Sequence, residues 1–209
     1  MVHKTGVTTL QVYTDNFWMA QGKAITTFAG LEQSLSALFC HVGDMQPDVA
    51  STIFYRMGNA PTVGKILETL LEKKYHEEYS KFWKSFKEFV KNVIDTRNKI
   101  VHWRVVTPAS DFTGIKLLPP DYWANVSGKK LTVEEVADFT ERCDFASRLC
   151  EAFTSYLSQP APPDGDPLGV AWQTWRDIFR TGVTYPLPIG HPLSIVPQSP
   201  QKPLASSNR

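Results

Sequence analysis

Residues 82–102 read FWKSFKEFVKNVIDTRNKIVH, and the apolar residues in this stretch recur every three or four positions. That spacing is typical of an amphipathic helix with one face in a protein core. The pattern predicts a helix from about His76 to Trp103. Its apolar positions are Phe82, Phe86, Phe89, Val90, Val93, Ile94, Ile100 and Val101.

The polar residues near the end of this predicted helix are unusual in their placement. Arg97 falls on the apolar stripe itself, where a guanidinium group must be paired or put to use because desolvating it alone is costly. Asp95, Asn98 and His102 form a polar stripe beside it, at spacings of three and four. We call Arg97, Asn98 and His102 the motif residues.

The motif residues resemble the Arg-x4-His signature of HEPN domains (higher eukaryotes and prokaryotes nucleotide-binding), in which a polar residue, often asparagine, follows the arginine. The resemblance extends more weakly to the helical pattern from about Asn16 to Leu157. It implies a helical bundle that forms dimers and acts on RNA. It also leaves room for a protein regulator, as in toxin–antitoxin or defence systems.

Four or five amphipathic segments with short connections predict an all-α fold, an antiparallel four- to five-helix bundle. The first helix is expected to be capped by Asp15 or Asn16, after a short extended arm that reaches Thr14. Gly43-Asp44 should end it. The apolar seam of this helix is Phe28, Leu31, Leu35, Leu38 and Val42.

Three further helices follow from similar signals. Pro47 opens a short helix through Tyr55, and Pro61 opens the next one. Thr132 with Glu135 makes a capping box for the last core helix. The inward positions of that helix are Val136, Phe139, Cys143, Ala146, Cys150, Phe153 and Leu157.

Two segments depart from the helical pattern. Between Arg104 and Lys130 the helical period breaks, which predicts an irregular insert with a short strand at 115–118. Ten of the fifteen prolines lie after Gln159. We therefore divide the chain into a HEPN-like bundle, 1–158, and a Pro-rich C-terminal arm, 159–209.

The arm contains one amphipathic island. Asp166 and Pro167 are residues that favour a helix start, which predicts a short aromatic helix here. Trp172, Trp175 and Phe179 would share one face of this helix. A face of this kind should not remain in water, so it should dock on the bundle or on a partner.

Charge is uneven along a chain whose formal net charge is +1. Between Lys73 and Arg104 there are nine lysines or arginines against four acids. Such a surface suits a phosphate backbone, and Lys91, Lys99 and Arg104 are the candidate substrate-binding residues. The alternative is an ordinary solvated helix face.

The three cysteines, Cys40, Cys143 and Cys150, form no Cys-x-x-Cys pair. This count argues against a disulfide framework or a zinc site, so we expect no metal and no cofactor. No leader and no bilayer-length apolar run is evident, which predicts a cytoplasmic protein without membrane contact.

The motif residues suit RNA cleavage by the ribose 2′-hydroxyl without a metal. His102 can supply acid–base chemistry, since histidine is the side chain that ordinarily exchanges a proton near neutral pH. Arg97 can hold the phosphorane charge through its fork, and Asn98 can orient the histidine or the phosphate. Arg97 and His102 lie about 140° apart on an ideal helix. The family resemblance therefore implies a homodimer with a shared cleft.

The second interpretation is a non-catalytic helical interaction or nucleotide-binding module, with the aromatic arm as its docking element. An arginine and a histidine at a helix end then serve as capping or ion-pair residues. A catalytic site needs the motif residues accessible and converging in a cleft. A scaffold would bury Arg97 against an acid such as Asp95 and leave His102 unpaired.

Overall fold

The computed structural model describes residues 9–58, 60–106, 115–119, 130–163, 166 and 168–194. Helices make up 72% of these residues, and one small two-stranded sheet accompanies them, as expected for an all-α chain. The elements are α1 (Thr9–Val42), α2 (Pro47–Arg56), α3 (Ala60–Tyr75), α4 (Ser80–His102), β1 (Arg104–Val106), β2 (Lys116–Leu118), α5 (Val133–Ser158) and α6 (Gly169–Ile178). None of the described helices has the length and apolar composition needed to cross a membrane.

Helix α1 is longer than the sequence predicts. It begins at Thr9, so the expected extended arm up to Thr14 is wrong for its described part, and neither Asp15 nor Asn16 caps the helix. Both of these residues are exposed, and no proline interrupts this region, so the helix continues through them without burying a polar group. The predicted seam is confirmed as buried, with Phe28, Leu31, Leu35, Leu38 and Val42 all in the core.

Helix α4 begins at Ser80 rather than near His76, because residues 76–79 form a turn in which His76 takes a φ of 56°. Val101 was expected on the apolar stripe but is 38% exposed. Ile100, seven residues after Val93, takes the inward position instead. The buried residues of α4 are Phe82, Trp83, Phe86, Val90, Val93 and Ile100.

Helix α5 starts as predicted. Thr132 Oγ1 accepts a hydrogen bond from the Glu135 backbone, and the Glu135 carboxylate accepts one from the Thr132 backbone. Cys143 and Cys150 are buried core residues. Burial raises the pKa of the Cys143 thiol to about 12, so it remains protonated and unreactive at neutral pH.

The directions of the three long helices differ from a purely antiparallel arrangement. Ser34 Oγ lies 2.7 Å from Ser147 Oγ, and His41 Nδ1 lies 3.3 Å from Ser158 Oγ. Helices α1 and α5 therefore run in the same direction. Helix α4 runs antiparallel to both. Its C-terminal end therefore lies against the first half of α1, and its N-terminal end lies against the second half of α5.

The C-terminal arm packs on its own bundle, one of the two outcomes that its aromatic face predicts. Phe179 is fully buried and contacts the rings of Phe82, Phe153 and Tyr156. Asp166 accepts a hydrogen bond from the Leu168 backbone just before α6 begins. Pro167 and residues 195–209 of the arm lie outside the described residues.

The insert contains the predicted strand. Strand β2 pairs antiparallel with β1, so Val105 lies opposite Leu117. Leu131, just before α5, forms a further antiparallel bridge to Leu117. The loops of the insert, 107–114 and 120–129, lie outside the described residues.

Candidate active site

The motif residues lie in the last two turns of α4, late in a long helix as the sequence predicts. The helix ends where the Trp103 backbone N–H donates to the Lys99 carbonyl, 2.9 Å away. Trp103 itself is extended, with φ −84° and ψ 152°. The chain therefore turns out of the helix directly after His102 and enters β1.

A glutamine on α1 fixes this helix end. Gln21 Nε2 donates to the Ile100 carbonyl oxygen at 2.9 Å. That carbonyl is one of the last four in α4, which have no partner within the helix. Because the Ile100 side chain is also buried, the end of α4 is held by both its backbone and its core packing.

Arg97 faces α1. Its guanidinium carbon lies 5.4 Å from the centre of the Phe28 ring, which is a cation–π distance. Glu32, one turn further along α1, is half-buried, and its pKa is raised because burial outweighs the opposing attraction of Arg97. Asp95, the acid that a scaffold was expected to place against Arg97, is exposed.

Asn98 contacts Arg97 and precedes His102 by one helical turn. It is exposed, and its side-chain oxygen accepts a hydrogen bond from Arg97 Nη1 at 3.3 Å. His102 lies one helical turn after Asn98 and is also exposed. The motif residues therefore form a polar strip that runs partly around the helix end, with Arg97 at its inner edge.

The strip does not amount to a complete site within one chain. The structure brings Arg97 and Asn98 into contact. Among the described residues, no hydrogen bond or ion pair involves His102, and on an ideal helix Arg97 and His102 point about 140° apart. A single copy thus presents the three side chains next to one another without aiming them at one atom.

The three predicted substrate-binding residues have different surroundings. Lys91 lies 3.8 Å from the Glu88 carboxylate, so part of its charge is offset. Lys99 Nζ lies 5.8 Å from the centre of the Trp103 ring. Arg104 is exposed on β1, two residues after His102. Of the three, Arg104 is the best placed to meet an anion beside the motif.

Sequence reasoning missed the part played by α1. Gln21, Phe28 and Glu32 lie on one side of that helix, at spacings of seven and four, which is a usable signal. Phe28 was read only as a core residue, and Glu32 was not singled out. Assigning them to the motif requires knowing that α1 and α4 run antiparallel at this end, which helical periodicity alone does not give.

No group of three or more His, Cys, Asp or Glu side chains within the described part of the chain is arranged to hold a metal ion. Comparisons with protein-family models, with curated proteins and with solved structures found no match to this chain. The HEPN resemblance therefore rests on the motif residues and on the helical pattern around them.

Proposed function

We propose that this chain is a metal-independent endoribonuclease of the HEPN type, which cleaves RNA through the substrate's own 2′-hydroxyl. One observation carries the proposal. A guanidinium, an amide and an imidazole form an exposed polar strip at the C-terminal end of α4: Arg97 bonds to Asn98, and His102 lies one turn after Asn98. These groups are a charge donor, an orienting group and a proton carrier.

The chemistry assigns one role to each motif residue. The 2′-hydroxyl oxygen attacks the adjacent phosphorus, and the 5′-oxygen of the next nucleotide leaves. His102 removes the hydroxyl proton or supplies one to the leaving oxygen. Arg97 stabilises the negative charge that builds on the phosphorane, and Asn98 orients the histidine or the phosphate. The products carry a 2′,3′-cyclic phosphate and a 5′-hydroxyl.

A homodimer would complete the site. Exposed apolar side chains adjoin the strip: Trp18 is 51% exposed, Ile25 46% and Val101 38%. Gln21, which lies between Trp18 and Ile25 on α1, contacts Ile100 directly. A second copy covering this surface would bury it and bring two polar strips face to face, so that Arg97 of one copy could serve His102 of the other.

The activity test compares wild type, Arg97→Ala and His102→Asn on single-stranded RNA in the presence of EDTA. Each change should slow cleavage by about 10²–10⁴, the range for losing one acid–base group or one charge donor. His76→Asn is the matched control, because His76 is also exposed and asparagine tolerates its positive φ. Single-stranded DNA should resist cleavage, since it lacks the nucleophile.

Equal cleavage by all variants would assign the activity to a contaminating nuclease and would remove the proposal. A 3′-hydroxyl at the new end created by the cut would do the same, because attack by the 2′-hydroxyl leaves a cyclic phosphate there.

The dimer is tested separately by sedimentation. Trp18→Glu and Ile25→Glu should each convert a dimer to a monomer and reduce cleavage, because a charge would be buried in the interface. Val170→Glu, on an exposed position of α6, is the matched control. A wild type that is monomeric and fully active would exclude the shared cleft.

The alternative function is a non-catalytic helical interaction or nucleotide-binding module. It is favoured by one observation: Arg97 faces Phe28 and Asn98, while His102 has no hydrogen-bond partner among the described residues. In such a protein the Arg97→Ala change would lower stability, and neither the wild type nor the variant would cleave RNA.

A further inference from the structure

A small antiparallel ribbon, made of β1, β2 and the single bridge from Leu117 to Leu131, follows the motif directly. Strand β1 pairs with β2 so that Arg104 lies opposite Leu118. Leu117 and Leu131 then exchange two backbone hydrogen bonds, of 2.9 and 3.0 Å. This antiparallel bridge places Lys130 opposite Leu118 on the other side of β2.

The two faces of the ribbon differ in character. Leu117 and Leu131 are buried on the inner face, against the bundle. Because side chains alternate along extended chain, their neighbours point outward. The outer face therefore carries Arg104, Leu118 and Lys130 in one row, and Val106, Lys116 and Thr132 in the next.

Three cations on this outer face have no oppositely charged partner in the part of the chain that the structure describes. Arg104 and Lys130 are exposed and Lys116 is half-exposed, and none of them forms an ion pair or hydrogen bond among the described residues. Among the described residues, the acids nearest to Lys130 in sequence are Glu134 and Glu135, in the first turn of α5. Glu135 is already bonded to the Thr132 backbone. The lysines of α4 differ in this respect, because Lys87 pairs with Glu68 and Lys91 lies near Glu88.

The ribbon is also close to the motif. Arg104 follows His102 by two residues, and adjacent strands lie about 4.8 Å apart, so Lys130 is roughly 10 Å across the ribbon from Arg104. The cations thus surround two partly exposed apolar side chains, Leu118 and Val106, beside the polar strip. Positive charge around a small apolar surface is complementary to phosphates that flank a nucleotide.

We propose that the outer face of this ribbon binds the phosphate backbone of single-stranded RNA next to the cleaved linkage, through Arg104, Lys116 and Lys130. The inference rests on the proposed ribonuclease function and assigns the substrate strand a path, from the polar strip onto the ribbon. Lys116 and Lys130 join Arg104 as binding residues, while Lys91 is left outside the path.

The test measures how salt weakens binding of a single-stranded 2′-O-methyl RNA of roughly 12 nucleotides, a typical single-strand site size. This probe lacks the nucleophile, so binding is read without cleavage. Fluorescence anisotropy is recorded between about 50 and 200 mM salt, where each phosphate contact on a single strand contributes about 0.7 to the slope of log affinity against log salt. The triple variant Arg104→Gln, Lys116→Gln, Lys130→Gln should lower that slope by about 2.

A second triple variant is the matched control. Lys65→Gln, Lys73→Gln, Lys81→Gln removes the same net charge from exposed lysines on α3 and at the start of α4. Its slope should stay close to that of wild type. Both variants should keep the wild-type melting temperature, because five of the six side chains are exposed and the sixth, Lys116, is half-exposed.

Equal slopes for the two triple variants would overturn the inference, since only overall charge would then matter. The inference would also be overturned if the first triple variant lost binding to a polyglutamate peptide but kept its binding to RNA. The ribbon would then bind an acidic protein partner. The proposed nuclease function can fail independently. If the first triple variant lowers the salt slope as expected but the wild type never cleaves RNA, the ribbon binding site stands and the catalytic role is excluded.

Discussion

The two ends of α4 are built in opposite ways. Its first half is covered by the C-terminal arm, where Phe179 packs on Phe82, Arg180 pairs with Glu78, and Ser85 bonds the Val183 backbone. Its last two turns carry exposed polar side chains and are contacted by α1 through Gln21 and Phe28. The first half of α4 thus contributes mainly to stability, and its last two turns carry the proposed chemistry. Mutations at one end should therefore change stability or activity separately.

The largest effect that this comparison predicts is at the covered end. Phe179→Ala should lower the free energy of unfolding by about 3–5 kcal/mol, because it leaves a cavity among the aromatic rings. At the open end, His102→Asn should change it by less than about 0.5 kcal/mol. Urea denaturation of both variants gives the two values. Similar losses at both ends would break the comparison.

The amphipathic stretches made the helices predictable. Phe82, Phe86 and Val93 repeat at helical spacing, and Thr132 with Glu135 provides a local capping signal that needs no tertiary information. The start of α1 was missed because Asp15 and Asn16 favour caps but are tolerated on an exposed helix face.

The candidate site was predictable only in part for a similar reason. Arg97, Asn98 and His102 are neighbours on one helix, so the sequence alone locates them. Gln21 and Glu32 reach the motif only because the chain returns to α1 after about 70 residues. Contacts across such a separation depend on helix direction, and spacing within one helix does not specify helix direction.

A smaller effect is expected where α1 supports the open end. Gln21→Ala should cost about 1 kcal/mol, since it removes the hydrogen bond to the Ile100 carbonyl. Amide hydrogen exchange should rise in the last turn of α4 and remain unchanged near Phe82. Gln173→Ala, which removes an exposed bond to Asp177 on α6, is the control and should leave exchange in α4 as it was.

The cation–π contact should contribute less again. Arg97→Gln should lower stability by about 0.5–1 kcal/mol, the range for such contacts near a surface. It should also raise the pKa of Glu32 further, because the positive charge that opposes the effect of burial is gone. Carboxyl carbon chemical shifts followed by NMR report this pKa, and a fall after the substitution would contradict the assigned contact.

The smallest effect concerns how stability depends on pH through His41, in the last turn of α1. His41 contacts Ser158 and Tyr75, and burial with the nearby Lys74 lowers its pKa. The unfolded chain therefore binds this proton more readily than the folded one, so stability falls as pH drops below about 6.5. His41→Gln should flatten this part of the stability profile, whereas His102→Asn should leave His41's contribution in place. A profile unchanged by His41→Gln would show that other groups set it.

The parallel packing of α1 and α5 has a consequence for how the protein is made. Ser34 and Ser147 touch, yet 113 residues separate them, so the central contact of the bundle is among the last that synthesis permits. Until α5 has left the ribosome, the apolar seam of the 34-residue helix α1 lacks its main partner. Contacts of this range slow folding compared with a bundle of adjacent helices, so the nascent bundle is most exposed to aggregation before α5 is complete.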